Sequence, residues 1–155
     1  MKLTSLCYIE RGDEYLMLHR VSKKNDENHD KWIGVGGKFK ACESPFDCVR
    51  REAYEETGLR LKTLCFRGIV TFVSDKWGTE YMHLFTAGGF EGDVKPCDEG
   101  VLEWIPKKKL FELNLWEGDK IFLRLLEDNH PFFSLKLLYS GENLVNAVLD
   151  DTPIK

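Results

Sequence analysis

The amino-acid sequence predicts an α/β or α+β fold in which helices cover both faces of a mixed β-sheet. Three observations support this prediction. Segments with strand and helix character alternate along the chain, a hairpin pattern stands at each end, and the 155 residues contain neither an internal repeat nor a linker-like stretch. A chain of this length suits a single core, so residues 1–155 are expected to form one domain.

The first forty residues predict two strands followed by two loops. Residues 3–9 (LTSLCYI) and 15–20 (YLMLHR) are largely apolar and are separated by the turn sequence RGDE, which indicates a β-hairpin. The polar stretch 22–31 (SKKNDENHDK) predicts a solvated loop. Its lysines could reach phosphates, although a plain exposed loop is the commoner outcome. The glycine-rich stretch 32–40 (WIGVGGKFK) follows, and it lacks the Ser or Thr that a P-loop carries after its lysine.

Strong capping signals predict a helix over residues 44–59. Ser44 is a favoured N-cap residue, and Pro45 fits the first helical position. Asp47 places negative charge in the first turn, and Gly58 is a typical stop signal. Side chains spaced three or four residues apart predict one narrow buried stripe, made of Phe46, Val49, Ala53 and Thr57.

The second half of the chain predicts more strands and a second helix. Segments typical of strands occupy residues 61–73, 81–88 and 101–106. A helix is expected over about 117–128. Its apolar side would carry Ile121, Phe122, Leu125 and Leu126. Two apolar stretches, 132–140 and 143–150, predict a closing hairpin.

The bulk composition argues against several classes of function. The formal net charge is −4, which disfavours a duplex nucleic-acid surface because such binding depends on phosphate neutralisation. No stretch approaches the roughly 20 apolar residues of a membrane span. The five cysteines form no CxxC pair, and no signal peptide is expected at the start of the sequence. A reduced, cytoplasmic protein is therefore predicted.

The stretch REAYEETG (51–58) places Glu52, Glu55 and Glu56 within little more than one helical turn. The three side chains cover an arc of about 100° beside the buried stripe. Like charges at this spacing cost about 0.2–0.5 kcal/mol each, and negative charge is unfavourable near a helix C-terminus. Two explanations are open. The acids form either a solvated face balanced by neighbouring arginines or a site for a hard cation such as Mg²⁺.

The spacing around these glutamates decides between the two explanations. Gly37 is followed by five residues and Glu43, and then by seven residues and the stretch REAYEETGL. This arrangement matches the pattern G-x5-E-x7-R-E-U-x-E-E-x-G-U, in which U is apolar, at every defined position. The pattern is the Nudix box, and the chain therefore resembles the Nudix family.

The resemblance implies a fold, a cofactor and a reaction. Nudix proteins share an α/β/α sandwich with a mixed β-sheet, in which the box forms a loop, a helix and a second loop. They hydrolyse a nucleoside diphosphate linked to another group. The implied cofactor is Mg²⁺, for which Mn²⁺ can substitute. Its ligands would be the main-chain carbonyl of Gly36 and the carboxylates of Glu52, Glu55 and Glu56.

The resemblance also assigns supporting roles to other residues of the box. Arg51 would orient the glutamates by ion pairing, and Glu43 would support the metal site indirectly, through a water or through the residues that bind the metal. Gly37 begins the box, and Gly58 would permit the turn after the helix.

The general base that takes the proton of the attacking water would be Glu56, Glu55 or Glu99. Glu99 resembles a glutamate that several family members supply from a later loop, and it is also a candidate metal ligand. A solvated loop acid is the alternative for this residue.

Beyond the box, the layout is similar to the MutT-type enzymes of the family, which cleanse oxidised purine nucleoside triphosphates, and to their human-type branch. Trp116 and Asp119 match the residues that stack on and hydrogen-bond the base in that branch. Lys38 and Phe72 complete the predicted substrate-binding set with Ile33. The structural alternatives are core packing for Trp116 and Phe72 and a helix-start acid for Asp119.

Two positions depart from the human-type branch. Ile33 stands where the branch has an Asn that reads the base edge, and Gly118 stands where it has a second acid. A site built to hydrogen-bond a base discriminates strongly, and an isoleucine side chain cannot contribute to such a site. The preference for oxidised guanine is therefore left open.

Together these observations predict Mg²⁺-dependent hydrolysis of a purine (deoxy)nucleoside triphosphate, with an 8-oxo-dGTP-like nucleotide as one candidate, to the monophosphate and pyrophosphate. A nucleotide sugar or a dinucleotide is the alternative substrate. A non-catalytic nucleotide-binding module is the alternative class, and it is disfavoured because every box glutamate is present. The expected partner is a small-molecule nucleotide, and the sequence predicts no oligomeric state.

Overall fold

The computed structural model describes residues 1–155. The strands are β1 (Lys2–Arg11), β2 (Glu14–His19), β3 (Trp32–Ile33), β4 (Arg60–Leu61), β5 (Leu64–Ser74), β6 (Gly78–Ala87), β7 (Phe90–Glu91), β8 (Val101–Pro106), β9 (Phe133–Ser140), β10 (Asn143–Leu149) and β11 (Thr152–Pro153). The α-helices are α1 (Pro45–Thr57) and α2 (Glu117–Glu127), and a 3-10 helix covers Lys107–Glu112. Neither α-helix has both the length and the apolar character needed to cross a membrane.

Nine strands form one mixed sheet. Its order is β11-β10-β9-β5-β6-β1-β2-β3, and β8 pairs with β2 as well. The pairs β1–β6 and β5–β9 are parallel, whereas the other neighbours are antiparallel. β4 and β7 form a separate two-stranded sheet. The parallel pair β1–β6 and the antiparallel pair β5–β6 bring β1, β5 and β6 together near the middle of the large sheet, where the cavity described below begins.

Two apolar cores lie on opposite faces of this sheet. Alternate residues of β1 enter different cores, with Tyr8 in one and Ile9 in the other, as strand geometry requires. The core that contains Tyr8 also contains Phe122 of α2, and the core that contains Ile9 also contains Val49 of α1. The predicted α/β/α sandwich with a mixed β-sheet is therefore confirmed.

Helix α1 begins and ends at the residues that the capping signals predict. The Ser44 hydroxyl accepts a hydrogen bond from the Asp47 N–H at 3.1 Å, and the Ser44 N–H donates to the Asp47 carboxylate at 3.0 Å. Pro45 is the first helical residue, and Gly58 closes the helix with a left-handed φ of 81°. A reciprocal cap of this kind satisfies two backbone donors that would otherwise lack partners.

The predicted stripe of α1 is correct for three of its four members. Val49, Ala53 and Thr57 are buried, but Phe46 is 36% exposed, and Cys48 is buried instead. Phe46 lies in the first turn, at the rim of the core, and its ring meets Phe85 edge-on. Helical spacing identifies a face, but the end of that face can project beyond the sheet it covers.

Several other element bounds differ from the predictions. The predicted strand 61–73 is divided into β4 and β5, because β4 pairs with the distant β7 instead of the large sheet. Residues 107–109 begin the 3-10 helix, an element outside the predicted strands and helices. The buried face of α2 carries Phe122, Leu123 and Leu126, whereas Ile121 and Leu125 are only partly buried. Each difference depends on a neighbour that is remote in the sequence.

Candidate functional site

A cavity of about 380 Å³ lies against the face of the sheet formed by β1, β5 and β6. Small-molecule sites fall in the same size range, about 300–1,000 Å³. All five predicted substrate-binding residues line it, namely Ile33, Lys38, Phe72, Trp116 and Asp119. Four residues of the predicted metal and supporting sets also line it: Gly36, Gly37, Glu52 and Glu99.

Arg51 holds the acids of the box together. Its guanidinium donates two hydrogen bonds to Glu43, at 2.6 and 2.8 Å, and one to Glu52 at 2.8 Å. It also reaches the carboxylate of Glu55 at 3.2 Å and the main-chain carbonyl of Lys38 at 3.0 Å. One cation thus orients three carboxylates and ties the loop before α1 to the helix.

The same contacts govern the protonation of Glu43. The hydrogen bonds from Arg51, and then the one from the Lys40 N–H, lower the pKa of Glu43 to about 2. In turn, the hydrogen bond to Glu43 raises the pKa of Arg51. Glu43 is therefore a charged anchor for Arg51, and it does not line the cavity.

Glu56 is the least exposed of the helix glutamates, with 7% of its surface accessible. One carboxylate oxygen accepts a hydrogen bond from the Gly36 N–H at 2.9 Å. The other, Oε2, is buried and has no partner. Burial raises the pKa of Glu56 to about 8; the Gly36 N–H opposes this rise, and the charges of Glu99 and Glu52 add to it.

Glu55 differs from Glu52 and Glu56 in its surroundings. Its side chain is 50% exposed, and its carboxylate pairs with Arg51 at 3.2 Å and with Lys40 at 3.9 Å. It is not among the residues that line the cavity. The structure therefore places Glu52 in the cavity lining and Glu56 at the edge of the cavity, next to Gly36. Glu55 lies at the outer edge of the acidic cluster.

Glu99 reaches the cluster from the loop that precedes β8. Potential ligand atoms of Glu56, Cys97 and Glu99 all lie within 4.8 Å of one another. The Glu99 carboxylate also pairs with Arg20, whose Nη1 lies 2.7 Å away. Sequence reasoning identified Glu99, and the fold brings it beside Glu56.

The donor set fits a divalent cation. Arg51 pairs with Glu52 and Arg20 pairs with Glu99, but no cation pairs with Glu56, whose pKa is raised by burial and then by the charges of Glu99 and Glu52. A buried carboxylate oxygen without a partner is costly unless a ligand satisfies it. A hard cation with oxygen ligands would satisfy Glu56 Oε2 and reduce the repulsion.

The absence of a side chain at Gly37 leaves room for Glu52. A Cβ atom at this position would lie 2.5 Å from the carboxyl carbon of Glu52. We expect Gly37→Ala to displace that carboxylate and to weaken divalent-cation binding by about 10- to 100-fold, the usual effect of disturbing the support of a metal ligand. Titration of the cation with calorimetric detection measures the change.

Gly88→Ala is the matched control for this substitution. A Cβ atom at Gly88 would meet only Thr63, at 4.0 Å. The Gly88 variant should bind the cation as the unaltered protein does. Equal cation affinity in the Gly37 and Gly88 variants would show that Glu52 is not a ligand.

Trp116 is 4% exposed and lies between the cavity and the core. Its ring meets Phe72 and Tyr139 edge-on, with centroids 5.8 and 5.2 Å away. Its indole N–H donates to the Asn28 side chain at 2.8 Å, and the Lys31 ammonium lies 4.9 Å from the ring centroid. Trp116 therefore packs in the core and also forms part of the cavity wall.

Asp119 lies in the first turn of α2, and its carboxylate accepts no hydrogen bond from the chain. It is 5% exposed and lines the cavity. Burial raises the pKa of Asp119 to about 8; the charge of Lys31 opposes this rise, and the charge of Glu80 adds to it. The acid is placed in the cavity at an electrostatic cost that the helix start alone does not explain.

Packing explains why position 118 is a glycine. A Cβ atom at this position would lie 2.4 Å from Leu137 Cδ1 and 2.7 Å from the Tyr139 hydroxyl oxygen. That hydroxyl accepts a hydrogen bond from the Gly118 N–H at 2.7 Å. The packing of β9 against α2 thus excludes a second acid at position 118.

Asp119→Asn is expected to make stability less dependent on pH. The pKa of Asp119 rises from 3.8 to about 8 on folding, so the folded protein binds more protons than the unfolded chain between these pH values. Stability from this group therefore falls as pH rises. The Asn variant should gain in melting temperature over the parent protein as pH increases from about 5 to about 8.

The control for this pH experiment is Glu117→Gln, in the same helical turn. Glu117 is exposed and pairs with Lys120 at 2.7 Å, which lowers its pKa. Its removal should not produce a gain that grows with pH. A pH-independent difference between Asp119→Asn and the parent protein would contradict the buried, unpaired state of Asp119.

Several residues of the site were not predicted from the sequence. The predicted solvated loop 22–31 instead lines the cavity with Asp26, Glu27 and Asn28, whereas the side chains of Lys23 and Lys24 do not line it. The cavity residues Arg20 and Glu80 and the nearby Cys97 were not predicted either. No local pattern marks these positions, because contacts with residues far away in the sequence bring them to the cavity, such as those of Arg20 with Glu99 and of Asn28 with Trp116.

Comparison with known protein families agrees with this geometry. The NUDIX domain matches residues 2–126. The chain belongs to the Nudix family. Nudix hydrolases generally use divalent metal ions, which agrees with the acidic cluster around Glu56.

Individual Nudix relatives place the chain in the MutT-type branch. It is 29% identical over 133 residues to the oxidized purine nucleoside triphosphate hydrolase of Danio rerio, with 83% of each chain covered. It is 28% identical over 155 residues to an uncharacterized Nudix hydrolase of Bacillus subtilis, covering 96% of this chain and 94% of that one. The structure of the MutT protein from Bacillus halodurans is similar at a TM-score of 0.85 and 28% identity, covering 97% and 98%. The protein is thus a MutT-type Nudix pyrophosphohydrolase.

Proposed function

We propose that this Nudix enzyme hydrolyses a purine nucleoside or deoxynucleoside triphosphate to the monophosphate and pyrophosphate, with Mg²⁺ as cofactor. The observation that carries the proposal is the buried, unpartnered Oε2 of Glu56, at the edge of a cavity that Trp116 and Asp119 also line. An acidic cluster for a cation and an apolar wall with one acid for a base therefore share one site.

The proposed cation ligands are Glu52, Glu55, Glu56 and Glu99 with the carbonyl of Gly36. Mg²⁺ is favoured because every carboxylate in the set is a hard oxygen donor, and Mn²⁺ can take the same ligands. When bound, the cation neutralises phosphate charge and promotes ionisation of a water. Arg51 holds Glu52 and Glu55 in place through its hydrogen bonds.

The proposed proton acceptor is Glu99. Its side chain is 36% exposed and lines the cavity, so a water next to the phosphate can reach it. Glu56, by contrast, is buried and accepts the Gly36 N–H, and Glu55 lies outside the cavity. Arg20 orients the Glu99 carboxylate at 2.7 Å, which positions it for proton transfer.

The rest of the cavity would hold the nucleoside. Phe72, Trp116 and Ile33 supply an apolar wall, Asp119 supplies a polar group for the base edge, and Lys38 supplies positive charge for the phosphates. An oxidised purine is the favoured base, supported by the similarity to the Danio rerio enzyme. The proposal includes a cytoplasmic location, supported by five free cysteines, and a small-molecule nucleotide as a partner.

A panel assay of pyrophosphate release tests the proposal. Normal and oxidised purine nucleoside triphosphates would be compared with an ADP-sugar and a dinucleotide, each with Mg²⁺ and with excess chelator. We expect the purine triphosphates to be the best substrates and the chelator to stop the reaction. A clear preference for the sugar or the dinucleotide would disprove the substrate assignment, and activity in chelator would disprove the cofactor.

A further inference from the structure

Cys97 is a half-buried free thiol beside the acidic cluster, and the proposed hydrolysis does not use it. Potential ligand atoms of Cys97, Glu56 and Glu99 lie within 4.8 Å of one another. The two carboxylates belong to the proposed Mg²⁺ ligand set, but sulfur does not suit Mg²⁺, which selects oxygen ligands. The thiol is therefore an additional donor with no role in that set.

A tight turn brings the thiol and the Glu99 carboxylate together. Cys97 pairs with Gly100 across this turn in an isolated antiparallel bridge. A Cβ atom at Gly100 would overlap the main-chain carbonyl oxygen of His19, so the turn packs closely against the end of β2. Asp98, between the two ligand residues, is exposed, whereas Cys97 and Glu99 are half-buried. The backbone thus directs both donors towards Glu56.

Glu56 provides independent evidence that this cluster takes a ligand. The residue is more than nine-tenths buried, with 7% of its surface accessible, and its Oε2 atom has no hydrogen-bond partner. It belongs to α1, so the geometry of the turn does not account for its open oxygen. A buried oxygen of this kind is costly without a partner. A cation held by Cys97 and Glu99 would supply one.

The charges and the donor types limit the cation that fits. A metal-bound thiol is deprotonated, so Glu56, Cys97 and Glu99 would carry three negative charges, of which Arg20 pairs with the one on Glu99. A divalent cation balances the other two. Mixed sulfur and carboxylate donors suit Zn²⁺, which in open sites takes three protein ligands and a water, whereas Mg²⁺ prefers a set of oxygens.

We propose that Cys97, Glu56 and Glu99 form a site for a thiophilic divalent cation such as Zn²⁺, and that this cation competes with Mg²⁺ for the two carboxylates. On binding, the S–H bond of Cys97 breaks, a metal–sulfur bond forms and the proton passes to the solvent. Zn²⁺ also occupies Glu99, the proposed proton acceptor, and so inhibits hydrolysis. The binding site goes beyond the proposed function and does not depend on the identity of the substrate.

Titration of the metal-free, reduced protein with Cd²⁺ tests the site without catalysis. Cd²⁺ takes the same ligands as Zn²⁺, and cadmium–thiolate complexes absorb in the ultraviolet. We expect an equimolar amount of Cd²⁺ to produce this absorption and Zn²⁺ to abolish it by displacement. Excess Mg²⁺ should raise the Cd²⁺ concentration that is needed, because both cations use Glu56 and Glu99.

Cys97→Ser is the diagnostic variant, and Cys65→Ser is its matched control. Serine keeps the size of the side chain but removes the sulfur, so the absorption should vanish. Zn²⁺ affinity should fall at least about 100-fold, since losing a ligand costs no less than disturbing its support. Cys65 is an exposed thiol on β5 outside the cavity lining, and its replacement should change neither quantity. Glu56→Gln should weaken Zn²⁺ binding but retain the absorption.

Protection from alkylation gives a second test that needs no variant. In the unaltered protein, Zn²⁺ should slow the reaction of Cys97 with iodoacetamide, measured by mass spectrometry of the digested protein. The exposed Cys42 and Cys65 are internal references and should react equally fast with and without Zn²⁺. Mg²⁺ alone should protect Cys97 much less, because it takes no sulfur ligand.

Several results would overturn the inference. They are the absence of cadmium–thiolate absorption in the unaltered protein, its persistence at full strength in Cys97→Ser, its equal loss in Cys65→Ser, an unchanged Zn²⁺ affinity in Glu56→Gln, and alkylation of Cys97 that Zn²⁺ does not slow. A Cd²⁺ titration that excess Mg²⁺ leaves unchanged would overturn the competition between the two cations.

Mg²⁺-supported pyrophosphate release provides the functional readout. Zn²⁺ should inhibit the unaltered protein and the Cys65 variant at concentrations about 100-fold lower than those that inhibit Cys97→Ser. Equal inhibition of all three proteins would show that Cys97 does not hold the inhibitory cation. Failure of the substrate panel would leave the Cd²⁺ and alkylation results intact, so this inference and the proposed function can fail separately.

Discussion

Replacing Glu56 by Gln is expected to slow pyrophosphate release by about 10²-fold or more, because losing a cation ligand costs at least as much as disturbing the outer support of such a ligand. Gln keeps the size of the side chain and an acceptor for the Gly36 N–H, but it removes the buried charge that converges with Glu52 and Glu99. Steady-state kinetics at saturating Mg²⁺ measures the loss.

Glu56→Gln should raise the stability of the metal-free protein, although it lowers the activity. Because burial raises the pKa of Glu56 from 4.5 to about 8, the folded state loses stability as pH rises through this range, and the loss is complete above it. We expect the metal-free Gln variant to melt at a higher temperature than the parent protein at about pH 8. Mg²⁺ should then stabilise the parent protein by ligand linkage and stabilise the variant much less.

Glu91→Gln is the matched control for Glu56. Glu91 is exposed, pairs with Lys62 at 2.6 Å, and does not line the cavity. It should leave both kinetics and the Mg²⁺-dependent melting shift unchanged. If Glu56→Gln kept the full melting shift with Mg²⁺, Glu56 would not be a cation ligand.

Replacing Trp116 by Ala is expected to cost about 3–5 kcal/mol of unfolding free energy, the range for deleting a large buried ring. The ring is almost fully buried and packs edge-on against Phe72 and Tyr139. Urea denaturation measures the cost. The KM for the nucleotide should rise as well, because the same ring lines the cavity.

Trp116→Phe separates the two roles of this side chain. Phenylalanine keeps an aromatic ring in the core but loses the indole N–H that donates to Asn28 at 2.8 Å. Its cost should be nearer to that of one hydrogen bond, about 1 kcal/mol, with some loss of packing. A cost below about 1 kcal/mol for Trp116→Ala would contradict the burial of the ring.

Sequence alone predicted the parts of the site that depend on local geometry. The Nudix box and the capping residues Ser44, Asp47 and Gly58 lie within one loop and one helix, where spacing along the chain sets position in space. The same holds for the placement of Glu52, Glu55 and Glu56 on one side of α1, since helical periodicity fixes relative directions. The α/β/α layering followed from the alternation of strand and helix patterns and from the resemblance to the family.

The tertiary structure decided which of these residues face the cavity and what joins them there. Glu56 has its raised pKa because the fold buries it beside Glu99, and Glu55 is left at the edge because α1 turns it towards Lys40. Burial depends on strands from other parts of the chain, and helical spacing cannot report it.

Residues without a local motif came from the tertiary structure alone. Arg20 meets Glu99, and Asn28 meets Trp116, across long stretches of chain. Glu80 reaches the cavity wall through the pairing of β6 with both β1 and β5. Sequence determined the chemistry of this protein because the box is local, whereas the base-binding wall depended on strand pairing, because its residues become neighbours only when the sheet forms.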